Sequence, residues 1–378
     1  MEFSIGVDEL QYIVKLFGKI AKRNTEDPTG QINIETTDEG VKFLVNNSSI
    51  AIEYISNQSS VKKQGGASIV FNKLFSFITP FVFWNGSFGS KEAVIKSTDK
   101  AVYISVNMIF EDGSFSENKV RLDLHNPFGI LKPGSFGQAT FTMNCAIMRT
   151  AINKVIYAIS PNEVRSAIQN MKLDFDEDFI RFVGTNGIQL SEYKVQNNTK
   201  YLGGFSVRYD FMSALQVILP NDDTQLFMEV TDKKIRAKFG KVYVEGRMDL
   251  GHDYPEYRPT LEAFSNVMSL DKKIILSSIT PIQEILDSDD YNRVTIEVKD
   301  KKLQIYSDVS NFTYSKDVDF DGEYVVDVNG KILKKTIDSI GDDELILKFS
   351  DSNGVLIFDS KAQGNQSSLM TPVRRRKK

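Results

Sequence analysis

One module is written six times along this 378-residue chain: an amphipathic helix, three short alternating strands, and a fourth strand that leads into the next helix. The helix openings fall at Val7, Asn72, Cys145, Tyr209, Asp271 and Asn329, in steps of 65, 73, 64, 62 and 58 residues. A period this regular constrains the fold more than any single motif, because each unit has an apolar face that a neighbour must cover. Six like modules can build a curved, repeating object in place of a globule around one pocket.

In the first helix, read over Val7 to Arg23, Leu10, Ile13, Val14, Phe17 and Ile20 recur at helical spacing, with Lys15, Lys19, Lys22 and Arg23 opposite. Strands are expected at Gln31–Glu35, Val41–Val45, Ile50–Ser56 and Ala67–Phe71, and again at Glu92–Ser97, Ala101–Phe110 and Lys119–Leu124. The third helix buries Met148, Ile152, Val155 and Ile156; the fourth buries Phe211, Leu215 and Ile218 and stops at Pro220. Asp271 is the expected N-cap of the fifth, which Pro281 should kink or interrupt. The sixth buries Ile332, Leu333 and Ile337 and exposes Lys331, Lys334 and Lys335.

Two stretches rich in Pro and Gly, His125 to Gly137 and Asp253 to Phe264, read as linkers. They divide the chain into residues 1–137, 138–262 and 263–378, each of ordinary domain size. Each third holds two helices and about eight strands, an α+β arrangement in which antiparallel sheets back a helix pair whose polar faces are exposed together.

Composition narrows the function. Apolar content of 41% and charged content of 25% suit a water-soluble globular protein. The longest apolar run, Ser68 to Trp84, contains Lys73 and Pro80 and does not span a bilayer. Glu2, Asp8 and Glu9 near the start argue against a secretory leader, and the single cysteine, Cys145, suits a reducing cytoplasm. Net charge is −4, yet the six helical windows carry 13 Lys/Arg against 6 Asp/Glu, a net of +7, which leaves −11 on the rest. Charge divided by element type implies one basic face on an acidic body, so a polyanion would be touched only where the helices point.

Several local motifs resemble those of the bacterial-type DNA polymerase III beta sliding clamp. They are Tyr157-Ala158-Ile159-Ser160 through Val164-Arg165, Thr185-Asn186-Gly187-Ile188-Gln189-Leu190, Tyr254-Pro255-Glu256-Tyr257-Arg258, and Met370-Thr371-Pro372-Val373-Arg374. Their order and spacing on six modules extend the resemblance over nearly the whole chain. Ile188 and Gln189 stand where the family has a His-Arg pair, Asn162 where a Gln often sits, and the chain ends in five cations, Arg374 to Lys378. These departures mark a divergent member, in keeping with a virus-encoded one.

The resemblance implies three DNA-clamp domains per chain and a head-to-tail homodimeric ring around duplex DNA, bound without sequence preference. It implies tethering of a replicative DNA polymerase, opening by a clamp loader, and other partners with clamp-binding motifs, with no membrane, cofactor or metal. The DNA-facing cations would be Lys15, Lys19, Lys22, Arg23, Lys73, Arg149, Lys154, Lys272, Lys273, Lys331, Lys334 and Lys335, with Arg165 and Arg208 secondary candidates. A partner-peptide cleft would be lined by Ile168, Thr185, Gly187, Leu190, Pro255, Thr260, Thr371, Pro372, Val373 and Arg374. Val120 and Leu122 would meet Ile282 and Ile285 of the other protomer at the ring interface.

Other classes find less support. Two histidines, His125 and His252, and one cysteine do not make a Cys/His zinc cluster, and no Gly-rich phosphate loop occurs. Asp174, Asp176, Glu177 and Asp178 fall in a strand–turn–strand, where turns commonly place acids. A sugar site would want stacked aromatics, and the one tryptophan is Trp84. The nearest rival is a clamp-like scaffold that docks peptides without encircling DNA. The basic tail reads either as a solvated end or as a lure for acidic partner segments or DNA.

Overall fold

The structure is a computed structural model. It describes residues 1–21, 28–47, 49–83, 88–110, 112–125, 133–248, 253–262, 264, 266–286, 292–307, 310–320, 322–349, 354–362 and 364–373, without the side chains of 28, 82, 83, 88–90, 281–286 and 310–314. Its α-helices are α1 (Val7–Phe17), α2 (Phe71–Ile78), α3 (Cys145–Val155), α4 (Tyr209–Ile218), α5 (Arg258–Glu262), α6 (Lys272–Leu286) and α7 (Gly330–Ser339). Six of the seven open at, or one residue from, the positions that the periodicity predicts.

Two compact units form, one from residues 1–146 with 214–248 and the other from 147–213 with 249–378. The first holds a five-stranded sheet in the order Ser60–Lys63, Glu2–Gly6, Phe88–Ser97, Ala101–Phe110, Phe115–Asp123. Its second sheet has eight strands: Phe141–Asn144, Gln225–Val230, Lys234–Phe239, Val242–Arg247, Ile50–Ser56, Gly40–Asn46, Gln31–Thr37, Gly65–Val70. In the other unit an eight-stranded sheet runs Gly203–Arg208, Asn170–Phe175, Phe179–Thr185, Gln189–Gln196, Gln366–Met370, Leu356–Ser360, Glu344–Phe349, Asn266–Asp271. A four-stranded sheet completes it: Ser310–Asp317, Lys302–Ser307, Arg293–Lys299, Tyr324–Asn329. Every pairing among the described residues is antiparallel.

The middle seam of each eight-stranded sheet joins segments far apart in sequence. Val242 pairs with Tyr54 and Val244 with Ile52 in one; Gln189 pairs with Met370 and Leu190 with Leu369 in the other. Helices cover the sheets by the stripes read from the sequence. Leu10, Ile13, Val14 and Phe17 of α1 and Phe71, Leu74 and Ile78 of α2 are buried. In the second unit Ile275, Ile279, Leu333 and Ile337 share one core with Val294, Ile296, Leu345 and Leu347. Each such side chain contributes roughly 1.5–3 kcal/mol by leaving water.

Several local expectations are corrected. α1 ends at Phe17 and not near Arg23: Gly18 is its C-cap, and Lys19 to Ala21 turn back on the carbonyls of Leu16 and Phe17. A Cβ at residue 18 would meet the Phe75 ring at 3.1 Å, so the small residue that weakens the helix also permits close approach of α2. Lys22 and Arg23 lie outside the described residues. α6 is not interrupted at Pro281 but runs on to Leu286. Proline removes one backbone donor, while Ile275 and Ile279 already hold the preceding turns in the core. Ile332 is partly and not fully buried. The strand Glu2–Gly6 was absent from the expected order; its Phe3 and Ile5 are buried, and it pairs on both sides.

Capping follows the expected chemistry. Asp271 Oδ1 accepts the N–H groups of Lys273 at 2.8 Å and Ile274 at 3.2 Å, and Asn329 Oδ1 accepts that of Ile332 at 3.1 Å. The far end of α7 is held by two lysines. Lys154 Nζ donates to the carbonyl of Ser339, and Lys272 Nζ donates to those of Ile340 and, at 3.3 Å, Asp338. Cations there satisfy orphan carbonyls and oppose the negative end of the helix dipole.

Two tests follow from this geometry. A Cβ on Gly184 would lie 3.0 Å from the Val155 carbonyl oxygen and 2.7 Å from an Ile159 carbon. Gly184→Ala should therefore cost about 1–3 kcal/mol in a urea unfolding titration, as overpacking against backbone does. Burial first, and the charge of Lys272 second, push the Lys154 ammonium below the ordinary lysine value, with Asp342 opposing. Between the lowered folded value and the unfolded one the unfolded chain binds the extra proton, so stability rises with pH across that window. Lys154→Met should abolish this rise, seen as a stability difference from wild type that grows as pH climbs toward about 10.4.

Candidate functional site

The turn between strands Phe179–Thr185 and Gln189–Gln196 sets one wall of a cleft in the second unit. Asn186 Oδ1 accepts the N–H groups of Ile188 and Gln189, each at 3.1 Å. Thr185 Oγ1 accepts the Gly187 N–H at 3.0 Å and donates to the Gln189 carbonyl at 2.6 Å. Gly187 sits at φ +86°, and a Cβ there would strike the Arg165 guanidinium at 2.2 Å. The backbone conformation therefore favours glycine here, and the Arg165 guanidinium lies over it.

The second wall is the end of strand Gln366–Met370. Beyond it, the Thr371 N–H and Oγ1 both donate to the Ile188 carbonyl, at 2.9 and 3.1 Å. The third wall is the segment read as a linker, which contains the short helix α5. Proline is tolerated in a first helical turn, so Pro259 does not prevent it. The Tyr254 hydroxyl donates to the Val183 carbonyl at 3.3 Å, the Tyr257 hydroxyl to Asp174 at 3.2 Å, and Arg258 to Asp174 at 2.6 Å. Burial pushes the pKa of both tyrosines upward, so they serve as neutral hydrogen-bonding struts.

Together these walls enclose a cavity of about 440 Å³, within the ~300–1,000 Å³ of small-ligand and peptide-anchor sites. Its apolar lining comes from Ile168, Leu190, Pro255, Tyr257, Pro259, Phe264, Val355 and Leu369, and Arg165, Thr185, Glu256 and Thr371 supply polar groups. Seven of the ten residues expected for the cleft line it: Ile168, Thr185, Gly187, Leu190, Pro255, Thr260 and Thr371. Pro372 instead packs near Gly354, the Val373 N–H donates to the Asp327 carbonyl at 2.7 Å, and Arg374 lies outside the described residues. Arg165, considered above as a DNA contact, lines this cavity. Gln189, Glu256, Tyr257, Pro259, Phe264, Val355 and Leu369 also line it and were not in the expected set; the last strand reads Gln-Ser-Ser-Leu-Met, which has no alternation to single out Leu369, and Val355 and Phe264 arrive only through the fold.

The helix cations divide into two groups. Lys15, Lys73 and Lys335 are exposed and make no ion pair or hydrogen bond among the described residues. The others have partners. Lys154 and Lys272 hold the end of α7; Lys334 pairs with Asp338 at 2.7 Å and Lys273 with Asp343 at 3.4 Å. Lys19, beyond the end of α1, donates to the Val217 carbonyl, and Arg208 pairs with Asp210 at 3.1 Å. Arg149 is half-buried and Lys331 exposed, and both have interaction partners. Cys145 is fully buried, and burial with the nearby Asp222 pushes its thiol up to about 12, which makes it a poor nucleophile.

At the sheet edges, Phe115–Asp123 pairs only with Ala101–Phe110, and Ser310–Asp317 only with Lys302–Ser307, among the described residues. On the first edge Val120 is half-buried and Leu122 is 4% exposed, so Leu122 has little side-chain area left for a second chain. The side chains of Ile282 and Ile285 lie outside the described residues. Among the described residues no cluster of three His, Cys, Asp or Glu side chains is placed to hold a metal ion. No helix there is long and apolar enough to cross a membrane.

No family model matches the sequence, and no curated protein matches it by sequence. Solved structures match it throughout. The chain is similar to the DNA polymerase III subunit beta from Pseudomonas aeruginosa with a TM-score of 0.86 at 14% identity, over 99% of this chain and 100% of that one. A putative DNA polymerase III beta subunit from Eubacterium rectale gives 0.85 at 16%, over 99% and 100%. The DNA polymerase sliding clamp from Bacillus subtilis gives 0.84 at 15%, over the full length of both. From end to end, this chain has the fold of the DNA polymerase III beta sliding clamps.

Proposed function

We propose that this protein is a DNA sliding clamp: a homodimeric ring that encircles duplex DNA and tethers a replicative DNA polymerase to it. The observation that carries this reading is the match to beta subunits over 99–100% of this chain and all of theirs. The α+β repeat would then divide into three domains, residues 1–137, 138–262 and 263–378. Two of the sheet edges, Phe115–Asp123 and Ser310–Asp317, suit closure by main-chain pairing between protomers, since an unpaired edge is a ready template for another strand. The protein would work without catalysis, cofactor or metal, in the cytoplasm, and a clamp loader would open and close it.

DNA would be held by topology, with the helix lysines making exchangeable phosphate contacts. Cations that are exposed and uncommitted suit that task; those held against a helix end do not. The 440 Å³ cleft would dock apolar anchors of peptide segments from the polymerase, the loader and other clients.

Negative-stain class averages of the purified protein at micromolar concentration test the ring. Six-lobed rings with a central hole are expected. Three-lobed single chains at every concentration, with peptide binding intact, would instead leave a docking scaffold that does not encircle DNA. A triple variant, Lys15→Glu, Lys73→Glu and Lys335→Glu, tests the DNA contacts. Retention on circular duplex DNA should fall and its salt dependence should flatten by about 0.9 log units per lost phosphate contact. Unchanged retention would mean that these lysines do not face DNA.

A further inference from the structure

One wall of the cleft, the short helix α5, has a cavity on each of its sides. Pro259 and Thr260 border the cleft. Arg258, Leu261 and Glu262 border a second cavity, also of about 440 Å³, and Phe264 lines both. The two cavities lie along one sheet face. Leu190, Leu369 and Thr185 line the first, and Glu192, Ser367 and Arg181 of the same three strands line the second. Residues two or four apart in a strand point to the same side, so α5 crosses a continuous surface with space ahead of it and behind it.

The attachment of this segment is uneven. Before α5 the chain is tied to the sheet by Tyr254, which donates to the Val183 carbonyl, and by Tyr257, which is buried and donates to Asp174. Within α5 no residue is buried. Leu261 packs only in part on the small core of Val183, Leu190, Ile357 and Leu369. Arg258 pairs with Asp174 at 2.6 Å and Asp176 at 3.9 Å, but its side chain is 44% exposed, and ion pairs in water contribute little. A segment with few buried apolar contacts is displaced at low free-energy cost. Tyr257 is thus a fixed pivot, and α5 beyond it is a wall that is weakly held in place.

We infer that α5 is a yielding wall: a bulky anchor in the cleft moves it into the second cavity, so that the site takes segments with two aromatic anchors as readily as segments with two aliphatic ones. The inference rests on the proposed reading of the cleft as a peptide site, and it adds the class of segment admitted there. A rigid wall would resist the extra volume, as a packed core does. Here the volume that the anchors need is passed on to the second cavity, while the tyrosine struts keep the floor and the entry of α5 in place.

The test uses fluorescein-labelled decapeptides that differ only at two anchor positions, carrying Leu and Leu, Leu and Phe, or Trp and Trp. Fluorescence anisotropy is measured with the full-length protein and with two full-length variants, Ser367→Phe and Val267→Trp. Both residues line the second cavity, from different strands, and neither lines the cleft. Thermal unfolding checks that all three proteins are folded. The unaltered protein should bind the Trp–Trp peptide at least as tightly as the Leu–Leu peptide. Each filled variant should keep its affinity for Leu–Leu and lose about tenfold or more for Trp–Trp, because the wall no longer has anywhere to go.

Discrimination against Trp–Trp by the unaltered protein would overturn the inference, as would variants with the size profile of the unaltered protein. Equal weakening of all three peptides in the variants would overturn it too, since general damage is not a loss of size tolerance. If no peptide binds the unaltered protein, the cleft reading itself fails, and the inference with it.

Discussion

Main-chain hydrogen bonding across two seams is the constraint on which the rest of this molecule depends. Each eight-stranded sheet is made of two four-stranded halves joined in the middle, Ile50–Ser56 to Val242–Arg247 and Gln189–Gln196 to Gln366–Met370. Side chains reinforce the joints. At the first, Glu9 accepts from Tyr54 at 2.9 Å and pairs with Lys241 at 2.8 Å. These bonds hold the Glu9 carboxyl below the usual range although burial, the largest single influence, works against them. At the second, Ser191 Oγ donates to the Lys154 carbonyl at 2.8 Å and lies 3.2 Å from Ser368 Oγ. The cleft exists because the second seam ends where the turn at Gly187 and the chain leaving Met370 come together.

Much of this was legible in the sequence because the repeat supplies its own alignment. Helical stripes such as Leu10, Ile13, Val14 and Phe17 have one period, strands have another, and the switch between them recurs. Strands Ile50–Ser56 and Ala101–Phe110 fall on the expected residues. Glu2–Gly6 was not legible: it is five residues long, buries Ser4 along with Phe3 and Ile5, and shows no alternation. α5 was hidden for another reason. Its five residues begin Arg258-Pro259 within a proline-rich stretch, and its place depends on Tyr257 and Arg258 finding Asp174, some eighty residues earlier. Composition cannot report a partner that distant.

Charge was legible as a total and not as a distribution. The excess counted on the helical windows shrinks where α1 ends at Phe17 and leaves Lys19 beyond it, and sequence does not distinguish a lysine that points to solvent from one that terminates another helix. Lys154 and Lys272 read as members of a basic face, and the fold uses both to satisfy carbonyls at the end of α7. Arg165 shows the same limit, since its neighbour in space is Gly187, twenty-two residues on. For the two lysines the task is set by a contact between separate modules, and for Arg165 by a fold-back within one, and the period encodes neither.

The position of the strand Gln366–Met370 has a consequence for how the molecule is made. It is an interior strand, flanked by Gln189–Gln196 on one side and Leu356–Ser360 on the other. The first flank is synthesised some 170 residues before the strand that completes it. Until then the nascent chain carries two open strand edges, a state prone to pairing with other chains. Long-range closure of this kind slows folding, because loop entropy is lost before the pairing returns it. Completion of this sheet therefore waits for a strand made long after its first flank, and the cleft, which needs Leu369 and Thr371, comes into being only with it.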